Sequence, residues 1–391
     1  MRSHFLLILL LTTRLYSQQA DILLKNGKIL DGTGNSWFYG DIAVKDGKIA
    51  AIGHLDQWKA SKTLDVTGLI VAPGFIDVHT HIEGDEKKNP TADNFIYDGV
   101  TTVVTGNCGL SEVNLGKYFS MLDSLHLSIN TASLIGHNDV RKAVMGSANR
   151  DPSEAEMEKM ESIVAQAMKD GAVGLSTGLI YIPGTYSKTD EVLRLAKVAA
   201  SFHGVYASHM RDEGDSVTQA IQEALYIGKE AHMPVEISHF KVSGQQNWGR
   251  SRETLALIRH ARSEGIDVTI DQYPYTASST SLSTLLPDEV LADGQDSIKA
   301  RLARPAVRKQ VTAYMLKKLK KRKLKHFSYP VVASFDADSS YNGKSIEEVN
   351  LLKGRKHKAA AEAATVMDMM EQGGAGMVFH GMSDADVKAI M

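Results

Sequence analysis

From residue 69 onward the chain alternates short, unbroken apolar runs with segments long enough for helices, and this alternation narrows the possible folds most. The runs are Leu69 to Val78, Thr101 to Thr105, Ser128 to Ile135, Ala172 to Ser176, Val205 to Ser208, Val235 to Ser238 and Val268 to Ile270. A half-exposed strand alternates apolar with polar residues, whereas a continuous apolar run reads as a strand covered on both faces. Between the runs lie stretches such as Ser153 to Lys169, where Ser153 and Glu156 have capping-box spacing. Seven such strands separated by helices predict a parallel α/β sheet. Polar residues recur at the C-terminal end of each run, which makes a (β/α) barrel the best account.

The chain on either side of this pattern reads differently. Residues 18–68 alternate apolar and polar residues around turn signals, with Asp46-Gly47 between two runs as a hairpin signal, and predict a small β-domain. Residues 69–391 are assigned to the barrel, with an insertion at about 283–370 where the rhythm loosens. Within that insertion, Leu316 to Lys325 carries seven Lys or Arg residues among ten. The whole chain of 391 residues has a net charge of −2, so a solvated helix face is expected there in preference to a nucleic-acid patch. With 43% hydrophobic and 23% charged residues the composition is that of a globular protein with a large core, and a small polar substrate fits it.

At the N-terminus, Arg2 precedes the apolar run Phe5 to Leu11, and Tyr16-Ser17-Gln18-Gln19 follows. That layout predicts a signal peptide over residues 1–17 and export to a periplasmic or secreted location. The apolar run is shorter than the roughly 20 residues a membrane span needs, so no stable membrane anchor is expected. The single cysteine, Cys108, has no partner for an internal disulfide. On composition alone a buried, inert thiol is the simplest reading.

Its surroundings argue otherwise. The first run ends in Pro73-Gly74-Phe75-Ile76-Asp77-Val78-His79-Thr80-His81. Two histidines separated by one residue on a strand share a face and can reach one metal ion. Later runs end in Gly106-Asn107-Cys108-Gly109, Gly136-His137, Ser208-His209, Ser238-His239-Phe240-Lys241 and Asp271-Gln272-Tyr273-Pro274-Tyr275. Any one of these histidines alone could be a satisfied core residue. Their shared position at strand ends is what points to a metal, and thiolate with neutral imidazoles suits Zn²⁺.

Val71 to His81, Asp98 to Gly109, Gly174 to Tyr181 and Ile237 to Lys241 resemble the amidohydrolase superfamily, and within it the D-aminoacylase branch. The likeness runs from about residue 20 to the C-terminus. Dihydroorotases and hydantoinases place a carboxylated lysine on strand four. Strand four here, Ala172 to Leu179, has no lysine, and in the D-aminoacylase branch a strand-two cysteine bridges instead. The resemblance therefore implies that Cys108, His209 and His239 hold a tight zinc, with His79 and His81 forming a second, weaker site. It implies substrate contacts from Tyr181, Lys241, Tyr273 and Ser279, and places His137 near the reacting centre. The implied reaction is zinc-dependent hydrolysis of the amide bond of an N-acyl-D-amino acid. A D-residue dipeptidase, a cyclic-amide hydrolase or an inactive fragment that only binds metal are the alternatives.

The family's proton carrier is an aspartate at the end of strand eight, followed by a carboxylate-binding arginine. Val378 to Met391 resembles the segment that leads into that strand. The expectation is thus a C-terminally truncated chain with an incomplete (β/α)8-type barrel, strand eight and the last strands of the β-domain lying beyond Met391. Asp384 and Asp386 belong to the preceding helical turn, which leaves His137 as the possible acid/base within the chain.

Overall fold

The computed structural model describes residues 18–391. The expected leader at residues 1–17 lies outside the described residues. The chain divides into two compact units, one up to Phe75 and the other from Ile76 to Met391.

In the first unit, β1 (Gln19–Ile29) pairs antiparallel with β2 (Phe38–Lys45), and β2 with β3 (Lys48–Gly53). Asp46 and Gly47 join β2 to β3 with φ of 52° and 70°, the left-handed pair that a tight hairpin turn requires. On its other edge β1 pairs in parallel with β4 (Lys59–Asp65) and β5 (Ile70–Val71). The run Leu69 to Val78 is therefore not one strand. Pro73 has no N–H to give to a ladder, and the chain leaves β5 there before re-entering a sheet as β6 (Phe75–Asp77).

The remaining runs form parallel strands in chain order: β7 (Val100–Thr105), β8 (Asn130–Ser133), β9 (Ile135–Gly136), β10 (Gly174–Gly178), β11 (Val205–His209), β12 (Val235–Ile237) and β13 (Val268–Ile270). β8 and β9 are one run interrupted at Leu134; β8 pairs with β7 and β9 with β10. Counted as runs, seven strands follow one another side by side, the order of a (β/α) barrel. In the described sheets β6 and β13 are the outer strands. Helices between the strands cover the sheet: Met157, Met160 and Val164 of Glu154–Lys169, Leu195 of Thr189–Ala200 and Ile221 of Val217–Ala231 share one core with Leu175, Tyr206 and Ile237 of the strands. The Ser153–Glu156 capping box forms as the spacing predicts.

The insertion has a core of its own. β14 (Ala277–Ser281) and β15 (Pro330–Ser334) flank β16 (Gly376–His380) in an antiparallel sheet. Helices Pro305–Lys321, Ile346–Leu352 and Ala359–Glu371 pack beside it, burying Val311, Met315, Phe327, Ile346 and Val366. The basic stretch falls at the end of the first of these helices. Val311, Met315 and Leu319, four residues apart, are buried, while Lys317, Lys320 and Lys321 are exposed, so the charges occupy a solvated face.

Candidate metal centre

Cys108, His209 and His239 leave the C-terminal ends of β7, β11 and β12 and converge. The Cys108 Sγ lies 3.5 Å from His209 Nδ1 and 3.5 Å from His239 Nε2, and the two nitrogens are 2.7 Å apart. Tetrahedral zinc with the usual Zn–S and Zn–N lengths puts its sulfur and nitrogen ligands about 3.6 Å apart. The sulfur distances match that spacing; the two imidazoles would spread by a few tenths of an ångström. His79 Nε2 is 3.4 Å from the same sulfur, and His81, with its ring centroid 5.5 Å from that of His79, completes a second group of three donors. Cys108 belongs to both groups. The structure thus brings together all five residues expected as ligands.

Local backbone explains why the cysteine can point inward. Cys108 has φ 54° and His239 φ 38°, left-handed conformations costing on the order of 1–3 kcal/mol each in a non-glycine residue. Gly109, at φ 77°, follows Cys108, and a Cβ on it would lie 2.2 Å from Asn138 Oδ1. Gly178, at the end of β10, approaches the other side: a Cβ there would lie 2.1 Å from the Cys108 carbonyl oxygen. On the same strand, Ser176 accepts from the Gly109 N–H at 3.0 Å and donates to the Gly106 carbonyl. Strand four therefore tethers the cysteine loop instead of offering a lysine.

The electrostatics favour a cation among these groups. Burial pushes the Cys108 thiol well up, so without a positive charge beside it the sulfur stays protonated. Burial holds His209 well below its ordinary value, and burial together with the Lys241 ammonium lowers His239, which favours the neutral imidazoles that keep a lone pair for a metal. His239 Nδ1 lies 3.0 Å from Glu213 Oε1 and 2.8 Å from the Lys241 ammonium, and Nε2 faces the sulfur. Burial opposes the charge on Glu213, but Lys241 and His239 hold its carboxyl well below the usual range. Asp271, just after β13, reaches His79 Nδ1 with Oδ2 at 3.1 Å and accepts from the His239 N–H with Oδ1 at 2.6 Å. The donor set and its outer carboxylates fit a zinc ion.

The expected substrate residues divide. The Tyr181 ring lies 4.7 Å from that of His209, its hydroxyl accepts from Thr280 at 2.9 Å, and burial raises its phenol well up. Lys241 stands 5.4 Å over the ring of Tyr273, but its ammonium is buried between Glu213 at 2.6 Å and His239 Nδ1 at 2.8 Å. It is bound to the ligand shell, not free as a carboxylate anchor. Ser279 is exposed on β14, and its neighbour Thr280, on the opposite face, is the residue that meets Tyr181. His137 is fully buried, its Nε2 2.8 Å from Glu191 Oε1, with Arg141 on the other Glu191 oxygen. It lies in a buried ion pair and not in the ligand cluster. Asp386 accepts from the N–H groups of Gly249 and Ser251, which commits it to fixing its helix.

Sequence reasoning missed Glu213, Thr280 and Ser176 as parts of the site. It quoted Asp271 at a strand end without giving it a role.

Residues 62–324 match the amidohydrolase family, and the chain belongs to it. Within that family it is similar to the D-aminoacylase of Alcaligenes xylosoxydans xylosoxydans, 39% identical over 305 residues covering 72% of this chain and 62% of that protein. It is also similar to the N-acyl-D-glutamate deacylase of the same organism, 36% identical with 74% and 62% coverage. Among solved structures, a crystal structure of D-aminoacylase superposes with TM-score 0.78 at 32% identity, covering 95% of this chain and 73% of the other. The N-acyl-D-glutamate deacylase of Bordetella bronchiseptica, crystallised with zinc and a phosphonate inhibitor, gives TM-score 0.77 at 32% identity, with 95% and 74% coverage. The chain spans 62% of the length of each of these two curated relatives. The amidohydrolase α/β fold with a β-rich N-terminal unit is thus established.

Proposed function

We propose that this chain carries the metal centre and most of the substrate pocket of a zinc-dependent hydrolase of N-acyl-D-amino acids. The observation that carries this reading is the convergence of Cys108, His209 and His239, with His79 at the same sulfur, from the C-terminal ends of β6, β7, β11 and β12. In the reaction, water adds to the amide carbonyl, the C–N bond breaks, and a carboxylate and a D-amino acid with a free ammonium leave. A bound Zn²⁺ supplies Lewis acidity, polarising a carbonyl and acidifying water. The chain's residues orient the metal-binding side chains and line the pocket. Glu213 and Asp271 orient His239 and His79 from behind. Tyr181, buried beside His209 with its phenol kept neutral, offers a hydroxyl to an oxygen of the substrate. Tyr273 walls the pocket beside Lys241.

Water must lose a proton and the leaving nitrogen must gain one. Glu213 is committed to Lys241 and His239, and Asp271 to His79 and His239. We therefore propose that the proton carrier is a carboxylate on an eighth strand lying between β13 and β6. Exposed apolar side chains on and just after the outer strand support this: Ile76 is 61% and Val78 45% accessible, unusual beside a barrel.

Zinc content by elemental analysis, with hydrolysis rates on N-acyl-D- and N-acyl-L-amino acids, tests the reading. Cys108→Ala should stay folded and lose most of its zinc, and D-substrates should be cleaved far faster than L-substrates by a chain extended through strand eight. Unchanged zinc in Cys108→Ala would reject the centre, and equal rates on both enantiomers would reject the substrate class.

A further inference from the structure

A second set of metal-ligating side chains lies within the insertion, away from the strand ends. His326 precedes β15, Glu347 opens helix Ile346–Leu352, His357 lies in the loop after it, and Glu362 stands in the first turn of helix Ala359–Glu371. One donor atom from each lies within 4.8 Å of every other. His326 Nδ1 is 2.6 Å from Glu362 Oε1 and 3.8 Å from Glu347 Oε1, which in turn is 2.5 Å from His357 Nε2. The Glu362 side chain is fully buried, those of Glu347 and His326 are 22% and 28% accessible, and that of His357 is 52% accessible.

Two carboxylates this close need positive charge between them. Two protonated imidazoles could supply it, but the rings of His326 and His357 are stacked, with centroids 4.1 Å apart and planes at 22°. Two imidazolium rings in that arrangement repel. Neutral imidazoles with a divalent cation give the same charge balance without that conflict, and imidazole nitrogens and carboxylate oxygens are both zinc donors, so the four together can complete a tetrahedral set.

The supports are already in place. Glu362 Oε2 accepts from the Phe327 N–H at 2.8 Å, which turns Oε1 toward His326. The Ser345–Glu348 capping box fixes the start of the helix that carries Glu347, whose own N–H donates to the Phe327 carbonyl. Asn350 donates to the Lys356 carbonyl at 3.0 Å, and Arg355 reaches Thr365 at 2.9 Å and Asp368 at 2.5 Å, so the loop presenting His357 is tied at both ends.

We propose that His326, Glu347, His357 and Glu362 form a structural zinc site that staples three segments of the insertion. This is independent of the strand-end centre and of any catalytic role. Its test uses the full chain stripped with a chelator and dialysed against Zn²⁺, beside the Glu347→Gln and His357→Ala variants. The wild type should retain one more zinc per chain than either variant, and added zinc should raise its unfolding temperature by more than theirs. Equal zinc content in all three proteins would overturn the proposal and leave an ion-pair cluster only. A second measurement does not depend on the variants folding: anomalous scattering from zinc-soaked wild-type crystals should show a peak bounded by the four side chains, and no peak there would overturn the site.

Discussion

Asp271, at the end of the seventh parallel run, lies 3.1 Å from the Nδ1 of His79, which follows the first. Its other oxygen holds the His239 backbone N–H, so one carboxylate after β13 ties the candidate ligand after β6 to the one after β12. Carboxylates behind metal-ligating histidines typically change affinity about 10–100-fold when removed. Asp271→Asn should weaken zinc binding by that order in a chelator competition, with folding retained. Unchanged affinity would show the contact to be incidental.

Gly178→Ala probes the close approach of strand four to the cysteine loop. The added methyl would lie 2.1 Å from the Cys108 carbonyl, a backbone atom that cannot step aside cheaply. A loss of about 1–3 kcal/mol or more is expected from overpacking, together with reduced zinc content. Denaturant melts and elemental analysis report the two effects. A variant as stable and as metal-rich as the parent would mean the loop is free to move.

Glu191 sits between fully buried Arg141 and His137. Burial raises its carboxyl, but His137 and Arg141 outweigh this and hold it below the ordinary value. A depressed folded pKa gives stability that is present above the unfolded value of about 4.3 and is lost as pH falls through the folded one. Glu191→Gln also leaves Arg141 charged and uncompensated, for a cost of about 3–5 kcal/mol at neutral pH. The gap between wild type and variant in urea melts should narrow below about pH 4. A gap constant down to about pH 2 would show that Glu191 is not the titrating group.

If an eighth strand lies between β13 and β6, it pairs both outer ladders and covers Ile76 and Val78. A chain lengthened through it should unfold at higher temperature and aggregate less than residues 18–391, since open strand edges template association. It should also hydrolyse substrate about 10²–10⁴-fold faster, the usual worth of a placed proton carrier. Light scattering, thermal melts and rates on one N-acyl-D-amino acid measure these outcomes. Equal behaviour of the two lengths would return attention to an acid/base within the present residues.

Much of the fold was legible in advance because buried parallel strands leave continuous apolar runs. β7, β11, β12 and β13 begin and end within about two residues of those runs. The first run was misread because an apolar stretch does not show which sheet it joins; Pro73 splits it between two. The convergence of the candidate ligands was legible for a related reason. Strand ends are visible in sequence, and parallel strands deliver their C-terminal ends to one side.

What lay beyond the sequence were the partners each side chain would meet. His137 stood at a strand end like the ligands, yet a helix from further along the chain supplies Glu191 and draws it away. Lys241 looked like an anchor for substrate, and only the loop after β11 brings Glu213 to it. Sequence by itself determined the strand order and the set of donor atoms, because periodicity and residue type are local properties. Tertiary structure alone decided which donors share a sulfur, which carboxylates stand behind them and that four residues of the insertion meet. Such contacts join positions up to 192 residues apart in the chain, as Asp271 and His79 do, and no local pattern records them.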